Sequence, residues 1–213
     1  MDAALSEHGV RDGQQFVLQE LWREDYEEDH AGLGIPLPAP AERFARLEET
    51  LRIARRMWAG EDGPFEGKHY LLGRTLNSPN PVRSPHPPVL VGGGGEKKTL
   101  RLVARYADAC NLFDAFGVGF VRDKLSILRG HCEAEGRPYG EIEKTTYGQL
   151  SLSRDGVGGT ETPAQAIERY HALAEEGVEH AIVTLADANE EGAFDLAAEE
   201  VVPAVEGIVP AGR

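Results

Sequence analysis

Four consecutive glycines, Gly92, Gly93, Gly94 and Gly95, follow the apolar run Val89-Leu90-Val91 and precede Glu96-Lys97-Lys98-Thr99-Leu100-Arg101-Leu102. Residues without a Cβ let the backbone turn sharply and bring bare N–H groups close to a ligand. A helix that starts directly afterwards places those groups at its positive end, an arrangement suited to a phosphate. Lys97 and Lys98 add local positive charge. Neither common phosphate motif is completed. Walker A needs Gly immediately before its Lys-Ser/Thr pair, and the dinucleotide fingerprint needs Gly where Lys97 falls. The residues alone therefore leave two readings open, a phosphate cradle and a flexible βα turn.

Other side chains capable of chemistry are scattered. His30 closes the acidic run Trp22-Arg23-Glu24-Asp25-Tyr26-Glu27-Glu28-Asp29, which reads as a solvated face rather than a carboxylate/His metal site. His69 is expected on a surface strand, His86 lies between prolines, and His180 stands at the entry of the last strand. None has a partner arrangement that makes it an acid or base, so no catalytic residue and no metal ligand is assigned. Cys110, in a strand, and Cys132, on a helix, fit neither a disulfide framework nor a metal spacing and are expected to be reduced.

The elements that must position these residues follow from periodicity. Residues 1–40 form a poorly defined acidic segment in which Phe16-Val17-Leu18 suits a strand, and residues 34–40 form a proline-rich linker. Phe44, Leu47, Leu51, Ala54 and Trp58 recur at helical spacing over 41–59, with Gly60 as the stop. Residues 64–71 read as a small hairpin, and 75–88, with five prolines, as an extended crossing. After the glycines a helix through Leu100, Val103 and Ala104 ends near Tyr106, and 109–113 is the next strand. Residues 120–135 are helical, with Val121, Leu125, Leu128 and Cys132 on one face. Residues 145–153 alternate as a strand with two unlike faces. Thr162-Pro163 opens a helix whose buried stripe is Ile167, Tyr170, Leu173 and Ala174. The run 181–185 is continuously apolar, as in a strand buried on both sides of a parallel sheet. A last helix carries Phe194, Leu196, Ala197, Val201 and Val202 up to Pro203.

This is an α/β succession of the (β/α) TIM-barrel type. It supplies only the last four to five units, whereas a closed barrel needs eight strands in about 250 residues. The net charge of −14 argues against a nucleic-acid partner, and no apolar run reaches a membrane span. The N-terminus lacks the pattern of a signal peptide, so a cytoplasmic protein is expected.

Several motifs in order resemble the luciferase-like monooxygenase superfamily. They are Gly32-Leu33-Gly34-Ile35-Pro36, Glu42-Arg43-Phe44 with Leu47-Glu48-Glu49, Phe65-Glu66-Gly67-Lys68-His69-Tyr70, Asn80-Pro81, Pro87 through Glu96, and Ala107-Asp108-Ala109-Cys110-Asn111. Together they span roughly residues 22 to 207 and look most like the branch of F420-dependent oxidoreductases. The resemblance implies a TIM barrel with a flavin or deazaflavin at its C-terminal mouth, and hydride transfer between F420 and a small organic substrate, or FMN-dependent monooxygenation. Carried over, Gly93, Gly94 and Gly95 fall on the loop contacting the cofactor phosphate, Gly92 at its entrance, and Phe113 near the cofactor mouth. Residues 41–213 then form a partial barrel domain, N-terminally truncated relative to the family. Where the family's fourth strand ends in a Gly-x-Gly turn before Trp, this chain has Gln19-Glu20-Leu21-Trp22. A half barrel leaves edges and an apolar face uncovered, so association as a homodimer is one expectation. A non-catalytic fragment or accessory subunit, and a phosphate-binding module outside redox chemistry, are the alternatives to an active oxidoreductase.

Overall fold

A computed structural model of the chain describes residues 16–19, 30–186 and 192–212; the acidic run before His30 lies outside them. The chain divides into two compact units, Met1–Leu90 and Val91–Arg213.

In the first unit, Phe16–Gln19 forms β1 and Pro40–Trp58 forms the long helix α1, with proline in its first turn. Phe65–Glu66 (β2) and Leu71–Leu72 (β3) pair antiparallel as the expected hairpin. Its tip is organised by Glu49 of α1, whose carboxylate accepts the backbone N–H groups of Lys68 at 2.7 Å, His69 at 2.9 Å and Tyr70 at 3.0 Å. His69 is not the surface strand residue its flanks suggest. It sits in the bend, with its side chain only 11% exposed and Nδ1 3.8 Å from Glu42 Oε1. The Glu49 nest pulls that bend down onto the helix. His86 stacks on Trp58 with centroids 5.6 Å apart, which gives it a packing role.

Burial alone would raise the Glu49 carboxyl, but the three N–H donors hold it below its ordinary value. A carboxyl with a depressed folded pKa stabilises above the unfolded value and loses that contribution as pH falls through the folded one. Glu49→Gln is therefore expected to lower the melting temperature at neutral pH. It should also flatten the decline that wild type shows on acidification below about pH 4. Parallel melting curves for the two proteins across that range would sink the assignment.

The second unit is a layered α/β body. β4 (Val89–Gly92) leads into it and lies beside β5 (Ala109–Phe113), followed in the sheet by β6 (Glu143–Leu150) and β7 (His180–Leu185). β5 pairs parallel with β6 and β6 with β7, in register Asn111–Thr145–His180 and Phe113–Tyr147–Ile182. Helices α2 (Thr99–Tyr106), α3 (Val118–Glu135) and α4 (Pro163–Glu175) alternate with the strands. The core holds Val91, Leu100, Val103, Leu112, Val121, Leu128 and Leu173, each at most 2% exposed. Val121, Leu125, Leu128 and Cys132 are the buried residues of α3, as the spacing predicts. Thr162 caps α4 in a reciprocal capping box with Gln165.

Three expectations are corrected. β7 is not buried on both sides: it ends the sheet order, and Val183 is 42% exposed over an apolar groove shared with Tyr170, Leu173, Val201 and Val205. An apolar run marks a central strand only where neighbours flank it on both sides. The buried stripe of α4 passes through Pro163, Ala166, Tyr170, Leu173 and Ala174, leaving Ile167 half-buried. The last helix is broken into Ala193–Asp195, a π-type segment Leu196–Val201 and Val202–Val205. Its wider turns change the helical phase, so Ala193, Leu196 and Val201 are buried while Phe194 and Val202 are exposed.

Both cysteines are free and buried. Burial pushes the Cys110 thiol up to about 12 and raises that of Cys132, keeping both neutral. No helix among the described residues is long and apolar enough to cross a membrane.

Candidate functional site

At the C-terminal end of β4 the chain leaves the sheet through the glycines. Gly92 is the last, buried residue of the strand. Gly93 turns at φ 121°, a conformation that disfavours any side chain, and its N–H donates to Asn111 O of β5 at 2.9 Å. Gly95 O accepts from Leu100 N at 3.0 Å, which closes the loop onto the start of α2. Among the described residues, the N–H groups of Gly94 and Gly95 have no backbone acceptor. They stand at the sheet's exit beside a helix N-terminus without a side-chain cap, where an anion is favoured.

The wall facing Gly94 comes from α3. A Cβ added to Gly94 would lie 3.0 Å from Phe120 Cζ and 3.6 Å from Lys124 Cε, so the absence of a side chain there lets α3 pack directly against the loop. Lys124 Nζ lies 5.0 Å from the Phe120 ring centroid and 2.6 Å from Glu96 Oε1. Phe116 packs on Phe120 with centroids 4.9 Å apart and is itself exposed.

Phe113 ends β5 on the same side of the sheet as Tyr147 of β6, edge to face at 5.8 Å, and is 41% exposed. Tyr147 Oη and Thr184 Oγ1 of β7 are 3.0 Å apart. Deeper on that face Thr145 Oγ1 donates to Cys110 O at 2.8 Å and to Asn111 Oδ1 at 3.0 Å. The result is a half-polar, aromatic-edged surface at the ends of β5, β6 and β7.

Directly after Phe113, Asp114 turns back beneath the sheet's edge. Its Oδ2 receives Arg169 Nη1 of α4 at 2.8 Å, and Arg169 also grips Glu161 through Nε at 3.0 Å and Nη2 at 2.8 Å. Burial raises the Asp114 carboxyl, an effect that Arg169 opposes. For Arg169 burial disfavours the charge, but Glu161, Tyr170 and Asp114 outweigh it and hold the guanidinium protonated. Gly148 of β6 makes room for the carboxylate: a Cβ there would stand 2.6 Å from Asp114 Oδ2 and nearer still to Oδ1. This bridge fixes the turn that carries Phe113 and Phe116.

The predicted site residues thus separate into the loop of Gly92, Gly93, Gly94 and Gly95 and the strand end of Phe113, all at the same end of the sheet. The sequence reading missed Phe120, Lys124, Asp114 and Arg169. Gly148 carried the one available signal, since a glycine inside a strand often marks a close approach. His180 begins β7 at the opposite end of the strands, Nδ1 3.5 Å from Glu143, which raises its pKa. Among the described residues no group of three His, Cys, Asp or Glu side chains is placed to hold a metal.

Comparisons with known proteins agree with this arrangement. The pattern of the luciferase-like monooxygenases matches residues 22–203. The F420-dependent glucose-6-phosphate dehydrogenase of Kineococcus radiotolerans is 31% identical over 141 residues, which make up 66% of this chain and 39% of that protein. Its counterpart in Nakamurella multipartita is 30% identical over 124 residues, 58% of this chain and 36% of that protein. The chain therefore spans about two fifths of the length of these curated relatives. Among solved structures, an F420-dependent secondary alcohol dehydrogenase in complex with an F420-acetone adduct superposes with a TM-score of 0.68 at 15% identity, covering 80% of this chain and 64% of that one. Monooxygenase RslO1 from Streptomyces bottropensis gives 0.68 at 20% identity, with 89% and 68% covered. At these identities the likeness concerns the fold, which is that of an incomplete TIM-type (β/α) barrel. A match across residues 22–203, carried by a parallel sheet whose first turn in the second unit is the glycine loop, shows that the chain belongs to the luciferase-like monooxygenase family.

Proposed function

We propose that the chain binds the deazaflavin F420 with its phosphate in the loop of Gly93, Gly94 and Gly95, and takes part in hydride transfer to or from a small organic substrate. The observation that carries this reading is the loop itself. It presents beside a helix N-terminus the N–H groups of Gly94 and Gly95, which have no backbone acceptor among the described residues, and Gly94 has no room for a side chain against α3. The similarity to curated F420-dependent dehydrogenases adds the cofactor class.

The residues fit such a group. The loop supplies main-chain donors for phosphate oxygens, and Phe113 and Tyr147 supply an aromatic edge on the same side of the sheet. When bound, F420 supplies the hydride chemistry. The protein orients the cofactor's tail, shields its environment and fixes the Phe113 turn through Asp114 and Arg169. No described side chain is assigned as a proton donor.

Titration of the purified protein with F420 and with FMN tests the reading, and absence of binding of either at micromolar concentrations would falsify it. Preference for FMN would move the assignment to flavin-dependent chemistry. Gly94→Val should weaken F420 binding, because the new side chain meets Phe120 and obstructs the N–H groups. A hydrogen bond to a charged acceptor contributes about 1.5–3 kcal/mol, so the loss is expected to be about ten- to hundredfold in Kd. An unchanged Kd for Gly94→Val would remove the phosphate from this loop.

A further inference from the structure

The residue directly after the four glycines is acidic, which is the wrong charge for a phosphate loop. The Glu96 side chain is 54% exposed and follows Gly95 directly, two residues after Gly94. Left to itself, a carboxylate there would be attracted to those donors and to the start of α2, as any anion would.

Two residues of α3 hold Glu96. Lys124 Nζ pairs with Oε1 at 2.6 Å, and His131 Nε2 donates to the main-chain oxygen at 2.7 Å. Lys124 and His131 are seven residues apart on α3, two turns along one face, so side chain and backbone of Glu96 are gripped by the same ridge. Lys124 is 14% exposed, its ammonium lies over the Phe120 ring, and its Cε would lie 3.6 Å from a Cβ on Gly94. The lysine is thus packed in place, whereas the glutamate side chain is the exposed partner.

We propose that Lys124 is a positioning residue of the glycine loop: by holding the Glu96 carboxylate against α3 it keeps that built-in anion off the loop's N–H groups and leaves them to the phosphate of the ligand. The proposal rests on the phosphate assignment made above. Lys124 acts through Glu96, so the two positions must be coupled. Removing the lysine releases the competitor, and neutralising Glu96 in the same protein removes the competitor too.

The test compares ligands with and without phosphate: FMN against riboflavin, and F420 against its phosphate-free deazaflavin core. The ratio of affinities within each pair isolates the phosphate contribution from the ring. Wild type is expected to prefer the phosphorylated member. Lys124→Met should reduce that preference by about tenfold, the size of one charge-assisted contact, Lys124→Arg should retain it, and Lys124→Met with Glu96→Gln should recover most of it. Preference retained in Lys124→Met, or a double variant no better than the single, overturns the role of Lys124. No preference in wild type overturns the phosphate assignment itself and the inference with it. The ion pair is partly exposed and contributes little to stability, so Lys124→Met is expected to fold. Should it not, Lys124→Gln, which removes the charge but keeps a polar end, is read in its place, with the same loss of preference expected and a retained preference contrary to the proposal.

Discussion

Arg169→Met is expected to destabilise the protein by about 3–5 kcal/mol, the cost of leaving a buried charge without its partner. The Asp114 side chain is 5% exposed and that of Arg169 21%, so water replaces little of what is lost. Methionine keeps most of the aliphatic bulk, which confines the effect to charge. At about 2–4 °C per kcal/mol for a chain of this size, the melting temperature should fall by about 6–20 °C. The pH dependence identifies the cause. Burial already raises the Asp114 carboxyl, and Arg169 counteracts that rise; without the guanidinium the carboxyl moves higher. A carboxyl raised above its unfolded value costs stability once pH exceeds that value. The deficit of the variant should therefore shrink on acidification and be largest at neutral pH, and Asp114→Asn in the same protein should recover part of it. A deficit constant with pH, or unrelieved by Asp114→Asn, would show that Arg169 acts through packing alone.

The same bridge shows where sequence reading ends. Local rules were sufficient for the elements: Val121, Leu125, Leu128 and Cys132 repeat at helical spacing and are the residues that α3 buries, and Thr162-Pro163 announced a capped helix that the structure completes with Gln165. Gly93 and Phe113 were legible for a related reason. A strand, a glycine run and a helix are contiguous in the chain, and the apolar run 109–113 placed Phe113 at the next strand's end. Asp114 and Arg169 are 55 residues apart, and no periodicity connects a carboxylate after one strand to a guanidinium on a later helix. Lys124 was hidden differently. It lies one position from the buried Leu125 and reads as an ordinary surface charge until α3 is set against the glycine loop. β7 failed because burial of a strand depends on its neighbours, which its own residues do not encode. Local order was therefore readable, while the chemistry of the site rests on side chains brought together by the sheet.

Gly148→Ala should be at least as damaging as loss of Arg169, although it adds only a methyl group. In an interior strand position alanine is normally preferred to glycine, which loses more conformational freedom on folding. Here the new Cβ would stand 2.6 Å from Asp114 Oδ2 and nearer still to Oδ1, inside the space the carboxylate occupies. Asp114 has a short side chain and cannot swing aside without releasing Arg169 Nη1. Overpacking alone costs about 1–3 kcal/mol, and a displaced Asp114 adds much of the about 3–5 kcal/mol attached to a broken buried pair. The two costs share one cause, so they should vanish together. In an Asp114→Ala background, where Arg169 keeps its two bonds to Glu161, Gly148→Ala is expected to cost less than about 1 kcal/mol, a strong departure from additivity between neighbours. Chemical denaturation of the four proteins of that cycle measures it, and an undiminished cost of Gly148→Ala without the Asp114 carboxylate would refute the account. Because Phe113 directly precedes Asp114 and its ring meets Tyr147 beside Gly148, the single variant should also lose cofactor affinity under conditions where it remains folded. That loss would tie the bridge beneath the sheet's edge to the surface above it.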